Sequence, residues 1–217
     1  MQIAIGFYPE FTALDAIGPY QVLSNVPGLE VVVCAERTGP LSDDNGLLTF
    51  DVAHSFDDVT KPDIVLIPGG IIARRMARDG HAIVDWVRRI DATTTHTTSV
   101  CTGSLILGAA GLLAGRRAAT HWMAYDALAG YGATPTEERV VRDGKYLTGA
   151  GVSAGIDLAL TLVAELSGPE VAQAIQLSIE YDPQPPFDAG APSKAPAGIV
   201  DLVAAIVRDK EEITLAR

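Results

Sequence analysis

Short runs of β-branched and aliphatic residues recur along the chain at positions 3–7, 30–34, 64–67, 97–100 and 118–120, with a further pair at 139–142 and 146–148. Several are apolar throughout, without the alternation of a half-exposed strand, which is the mark of strands covered on both faces. Between them lie segments with helical character, at about 16–24, 72–90 with a break near Asp79 and Gly80, 103–113, 123–129, 154–166, 169–181 and 199–207. Ser153 suits the N-cap of the fifth segment, Gly168 follows its end, and Pro169 suits the opening of the next. The pair Asp143-Gly144 signals a two-residue hairpin turn. Strands alternating with helices predict an α/β fold: a mostly parallel sheet, helices on both faces, and a small antiparallel hairpin. Between Tyr181 and Ala197, prolines at 183, 185, 186, 192 and 196 forbid regular structure, and the stretch reads as an ordered surface excursion. Only about 20 residues follow it, too few for a second domain, so the 217 residues are expected to form one domain.

Composition narrows the function classes. Hydrophobic residues make up 48% and charged residues 20%, a globular balance. The formal charge of -11 argues against nucleic acid or an anionic membrane as partner, since phosphate would be repelled. Cys34 and Cys101 lie in neither a CxxC nor a zinc-spaced arrangement, so no metal site is expected. The N-terminus lacks the basic region and cleavage site of a signal peptide, and the longest apolar run, 105–114, is too short to span a bilayer. A cytoplasmic protein with reduced thiols is the expectation.

The chemistry gathers around Cys101. The β-branched run ending at Val100 meets Cys101 and then Thr102-Gly103-Ser104, the form of a strand bending sharply into a helix, with small Ser99 and Gly103 on either side of the sulfur. At such a bend the helix presents free N–H groups and the positive end of its dipole, which predicts a thiolate well below the ordinary thiol pKa of about 8.5. The plainer alternative is that Cys101 is a small buried hydrophobe. Sites in open α/β sheets form at the carboxyl ends of strands. Four loops leave those ends: Tyr8-Pro9-Glu10 continuing to Leu14-Asp15, Pro68-Gly69-Gly70, the Cys101 bend, and Gly149-Ala150-Gly151-Val152. Asp15 is either a helix N-cap or a carboxyl held against the sulfur, with a raised pKa, that donates or shares a proton. The N–H groups of Gly69 and Gly70 either stabilise an anion on the substrate or belong to an ordinary turn. Thr102 offers an N–H and a hydroxyl, or simply fills the first helical turn. His121, beside Trp122, either pairs with the sulfur or is a packed structural residue. Cys34 reads as core, His54, His81 and His96 as exposed, and Arg74, Arg75, Arg78 and Asp79 as a solvated helix face.

Taken together, Leu14-Asp15 with Gly18-Pro19, Ile67-Pro68-Gly69-Gly70, Ser99-Val100-Cys101-Thr102-Gly103, Gly115-Arg116-Arg117, Thr120-His121-Trp122 and Gly151 with Gly155-Ile156-Asp157 resemble the DJ-1/PfpI superfamily over nearly the whole chain. Within it the isocyanide hydratase branch is the most similar, including Ile179-Glu180-Tyr181 and Pro185-Pro186-Phe187. The resemblance implies a flavodoxin-like three-layer sandwich, usually a homodimer, and hydration of a small-molecule isocyanide without metal or organic cofactor. It carries the nucleophile onto Cys101, the neighbouring carboxylate onto Asp15 and the adjacent threonine onto Thr102, with Gly70 and Val152 positioning the intermediate or the water. Thr102 stands where PfpI-type proteases carry histidine, and the shorter Asp15 stands where the DJ-1 branch carries glutamate, so both of those activities are disfavoured. A DJ-1-like glyoxalase, and a noncatalytic cysteine-based sensor akin to the amidase-like domains of AraC-type regulators, are the competing expectations.

Overall fold

The computed structural model describes residues 1–215. In chain order the elements are β1 (Gln2–Gly6), α1 (Ala13–Leu23), β2 (Glu30–Ala35), β3 (Gly39–Ser42), β4 (Thr49–Val52), β5 (His54–Ser55), β6 (Ile64–Ile67), α2 (Ala73–Asp79), α3 (Ala82–Asp91) and β7 (His96–Val100). There follow α4 (Gly103–Ala109), β8 (Arg117–Ala118), a 3-10 turn (Trp122–Ala124), α5 (Tyr125–Gly130), β9 (Thr134–Pro135), β10 (Val140–Asp143), β11 (Tyr146–Gly149), α6 (Ala154–Ser167), α7 (Pro169–Ser178) and α8 (Ala197–Leu215).

Seven strands form one sheet in the order β10-β11-β7-β6-β1-β2-β5, parallel except for the β10–β11 ribbon. The expected α/β architecture is therefore present. All four residues of β6 are buried, as are the last four of β1 and β7; β1 and β6 do so with unbroken apolar runs, whereas β7 buries Thr97, Thr98 and Ser99. One group of helices, α1 with α6 and α6 with α7, packs together, and α2, α3 and α4 form the other. In α3 the buried set Ile83, Val84, Trp86, Val87 and Ile90 follows helical spacing, and Trp86 stacks on Phe56 at 4.6 Å while its indole N–H donates to the Val59 carbonyl at 2.8 Å. From β1 the chain winds outward through β2 to one edge, then returns to β6 and proceeds to β7 and β11 toward the other. The topological switch point lies between β1 and β6, and there the loops leaving the carboxyl ends are joined by the Thr12 N–H to Gly69 carbonyl bond at 2.8 Å.

Local details depart from the sequence reading. The hairpin loop is Gly144 and Lys145, one residue later than Asp143-Gly144, because Asp143 pairs with Tyr146 and Gly144 takes the positive φ (63°). Residues 118–120 do not enter the main sheet: β8 pairs with β9 in a separate two-stranded sheet. Ser153 precedes α6 without a side-chain cap. Its hydroxyl instead accepts from Arg139 at 3.1 Å. The helical segment near 72–90 does break, at left-handed Gly80, and His81 then caps α3 by accepting the Ile83 N–H. At the opposite end of the sheet from the switch point, Asp91 accepts from Thr97 at 2.6 Å and from Tyr146 at 3.1 Å and pairs with Lys145 at 3.0 Å. Arg116 covers the Tyr146 ring at 4.6 Å. Among the described residues no helix is long and apolar enough to cross a membrane.

Candidate active site

Cys101 follows β7 with φ +55°, a left-handed conformation that costs a residue with a Cβ about 1–3 kcal/mol unless its surroundings impose it. They do so on both sides of its backbone. The Cys101 N–H donates to the Gly149 and Ala150 carbonyls at 3.1 and 2.9 Å, and the Cys101 carbonyl accepts from Ser104 and Thr120 hydroxyls, each at 3.1 Å. The bend also needs Gly103, since a Cβ there would lie 2.2 Å from the Ile67 carbonyl oxygen. The sharp β-to-α bend expected from the sequence is therefore present.

Asp15 is the third residue of α1 rather than its N-cap, a position that Thr12 holds. Its fully buried carboxyl turns toward the ends of β6 and β7. Oδ2 accepts the Gly69 N–H at 2.8 Å, Oδ1 has no hydrogen-bond partner among the described residues, and the carboxyl and Cys101 both pack against Gly69. Burial raises the Asp15 pKa to about 7, helped by the nearby Asp44, while the Gly69 N–H and the Cys101 side chain oppose the rise. The expectation of a raised carboxyl pKa holds, with burial as its leading cause.

The titration of Cys101 is a correction. Burial and then the Asp15 charge push the thiol up, outweighing the Val152 and Thr102 N–H groups, which favour thiolate. Only 6% of Cys101 is exposed, so the helix-terminal N–H groups do not make it a free thiolate. The carboxyl ionises first, so the singly protonated pair is a thiol beside a carboxylate.

The remaining predicted residues sort by what they touch. Gly69 is a point of close approach: a Cβ on it would lie 2.6 Å from Thr102 N, 2.7 Å from Asp15 Oδ2 and 2.8 Å from Cys101 Cβ. The Gly70 N–H donates to Thr102 Oγ1 at 2.9 Å, and the Thr102 hydroxyl donates back to the Gly70 carbonyl at 2.8 Å. Both glycine N–H groups are thus engaged with Asp15 and Thr102 rather than turned toward a ligand. Thr120, Gly151 and Val152, together with Leu14, His121, Trp122 and Tyr125, line a cleft of about 830 Å³, to whose wall Pro185, Phe187 and residues 190–194 also contribute. Thr120 and Val152 belong both to this cleft and to the groups that hold Cys101. His121 faces the cleft and its Nδ1 accepts the Met123 N–H at 3.4 Å; burial, then Arg74, lowers its pKa. Among the described residues no hydrogen bond joins it to the sulfur.

Two further residues of the site escaped notice as such: Tyr8, whose hydroxyl donates to the Pro68 carbonyl at 2.7 Å, and Asp44, which accepts from Thr12 at 2.9 Å. A tyrosine at the carboxyl end of the first strand was the available sign; nothing in the sequence marks Asp44. Cys34 is core, as read. His81 and His96 are not freely exposed but pair with Glu36 and Glu165. Arg74 is no solvated residue either: it reaches the Met123 carbonyl and Glu211, tying α2 to α8.

A profile of the DJ-1/PfpI family matches residues 1–165. Over 203 residues the chain is 44% identical to the isonitrile hydratase of Pseudomonas putida, covering 93% of this chain and 88% of that protein. It is 34% identical over 145 residues to the HTH-type transcriptional regulator CdhR of Pseudomonas aeruginosa, covering 66% of this chain and 42% of that protein. The crystal structure of a ThiJ/PfpI family protein from Pseudomonas syringae superposes with a TM-score of 0.89 at 40% identity, covering 97% of this chain and 89% of that one.

Proposed function

The chain belongs to the DJ-1/PfpI family, and from that premise we propose that it is an isonitrile hydratase, adding water to an isocyanide, R–N≡C, to give an N-substituted formamide. The observation that carries the mechanism is the fully buried Asp15 carboxyl set beside Cys101, both packed against Gly69. As the sulfur attacks the terminal carbon of the isocyanide, its proton passes to the Asp15 carboxylate, and Asp15 returns that proton to the same carbon, giving a thioimidate, S–CH=N–R. Water then adds to the thioimidate carbon while nitrogen gains a proton. The C–S bond breaks, the hydroxyl proton returns to sulfur, and R–NH–CHO departs. In this scheme Thr102 and Val152 hold the sulfur through their N–H groups, with Gly69 and Gly70 supporting Asp15 and Thr102 from behind.

The R group would occupy the cleft beside Val152, where Leu14, Trp122, Tyr125 and Phe187 supply apolar surface. His121 acts as wall rather than base. The charge of -11 speaks against nucleic-acid and membrane partners, and a reduced thiol fits the cytoplasm. We read residues 1–217 as one domain and the enzyme as a homodimer; in support of the latter, Ile199, Leu202, Val203 and Ile206 form an exposed apolar stripe on α8.

Incubation with cyclohexyl or aryl isocyanide should yield the formamide, and Cys101→Ala and Asp15→Asn should each lower kcat at least about 10³-fold. Parent-level turnover by Cys101→Ala would rule out the covalent route. Methylglyoxal turnover without isocyanide turnover would move the assignment to a glyoxalase.

A further inference from the structure

The turn after β6 is wired through single peptide groups. In the Pro68–Gly69 peptide the carbonyl accepts the Tyr8 hydroxyl at 2.7 Å, and the N–H of that same peptide donates to Asp15 Oδ2 at 2.8 Å. In the next peptide the Gly69 carbonyl accepts the Thr12 N–H at 2.8 Å, and the Gly70 N–H donates to Thr102 Oγ1 at 2.9 Å. A peptide held at both ends cannot rotate about its flanking bonds, and a hydrogen bond received at the carbonyl polarises the N–H into a better donor. Tyr8 is fully buried at the carboxyl end of β1, so no solvent competes for its hydroxyl.

We infer that Tyr8 is a positioning residue for the reaction, orienting the Pro68–Gly69 peptide so that its N–H holds the Asp15 carboxylate against the Cys101 sulfur. The inference rests on the role assigned above to the Cys101–Asp15 pair. The charged and titratable groups acting on Asp15 are Cys101 from the bend, Tyr8 from the end of β1, and Asp44 from the turn between β3 and β4. Cys101 and Asp44 each act on Asp15 directly. Tyr8 acts through the peptide, which means that deleting its hydroxyl should weaken the donor that favours ionised Asp15.

Tyr8→Phe keeps the ring and removes only the oxygen. The expected result is a kcat about 10-fold lower at pH 7 with KM within about twofold, and an acid limb of the rate profile moved up by about half a pH unit or more. The pH dependence of Cys101 alkylation by iodoacetamide, which needs no isocyanide turnover, should move in the same direction. Introduced into Asp15→Asn, Tyr8→Phe should cause no further change in alkylation. Thermal unfolding confirms that each variant is folded. A folded Tyr8→Phe with both profiles unmoved would overturn the inference, as would an equal effect in the Asp15→Asn background. If the parent enzyme fails to hydrate isocyanides, the proposed activity falls, while the alkylation experiment still decides the role of Tyr8.

Discussion

At the scale of single residues, the consequence lies in how two acids divide one proton. Asp15 ionises near pH 7 and Cys101 well above, so the reactive singly protonated pair accumulates as pH rises through about 7. The kcat/KM for isocyanide hydration should therefore climb through an acid limb near 7, and Asp15→Asn should abolish that limb. The same carboxyl affects stability. Its folded pKa lies above the unfolded value of 3.8, so the native state binds the extra proton; the penalty is absent below about 4, grows between about 4 and 7, and is complete above 7. Denaturant unfolding should show Asp15→Asn gaining stability relative to the parent between pH 4 and pH 8, on the order of 4 kcal/mol at about 1.4 kcal/mol per pH unit. An unchanged difference across that window would contradict the burial argument. The identities of Cys101 and Asp15 were legible in the sequence because a bend residue and a helix-start carboxyl leave local signatures. Their titration was not. It depends on burial and on Asp44, Gly69 and Val152, which are distant in the chain and meet only in the fold.

At the scale of elements, the approach of β6, β7 and α4 leaves no volume to spare. Gly103→Ala puts a methyl group 2.2 Å from the Ile67 oxygen, a clash with backbone that no rotamer relieves, and should cost about 3 kcal/mol or more, or prevent folding. Gly130→Ala at the end of α5, where nothing lies within 4 Å, should stay within about 1 kcal/mol of the parent; thermal unfolding of the two variants makes the comparison. Strands buried on both faces and amphipathic α3 were readable because solvent imposes their patterns. The β3–β4 hairpin was missed: its partly exposed residues, Gly39 to Ser42 and Thr49 to Val52, carry no unbroken apolar run and pair outside the main sheet. The last helix was read as 199–207 yet continues to Leu215, since the charged residues 208–212 tolerate helix without contributing periodicity.

At the scale of the whole molecule, α8 crosses the surface with its apolar stripe uncovered and is fastened by the Arg74–Glu211 pair at 2.9 Å. If that stripe is the dimer seam, sedimentation should give twice the chain mass for the parent and once for Leu202→Glu with Ile206→Glu. A parent that sediments as a monomer would remove the dimer proposal. The buried knot of Asp91, Thr97, Tyr146 and Lys145 bears on the reaction from the far side of the sheet. It anchors β7 at its second residue, and a strand advances about 3.3 Å per residue, so the height of the reactive sulfur is set by an anchorage roughly 13 Å beneath it. Slackening that anchorage would detune catalysis without touching anything the substrate meets, as a loosened tailpiece untunes a string whose bridge has not moved.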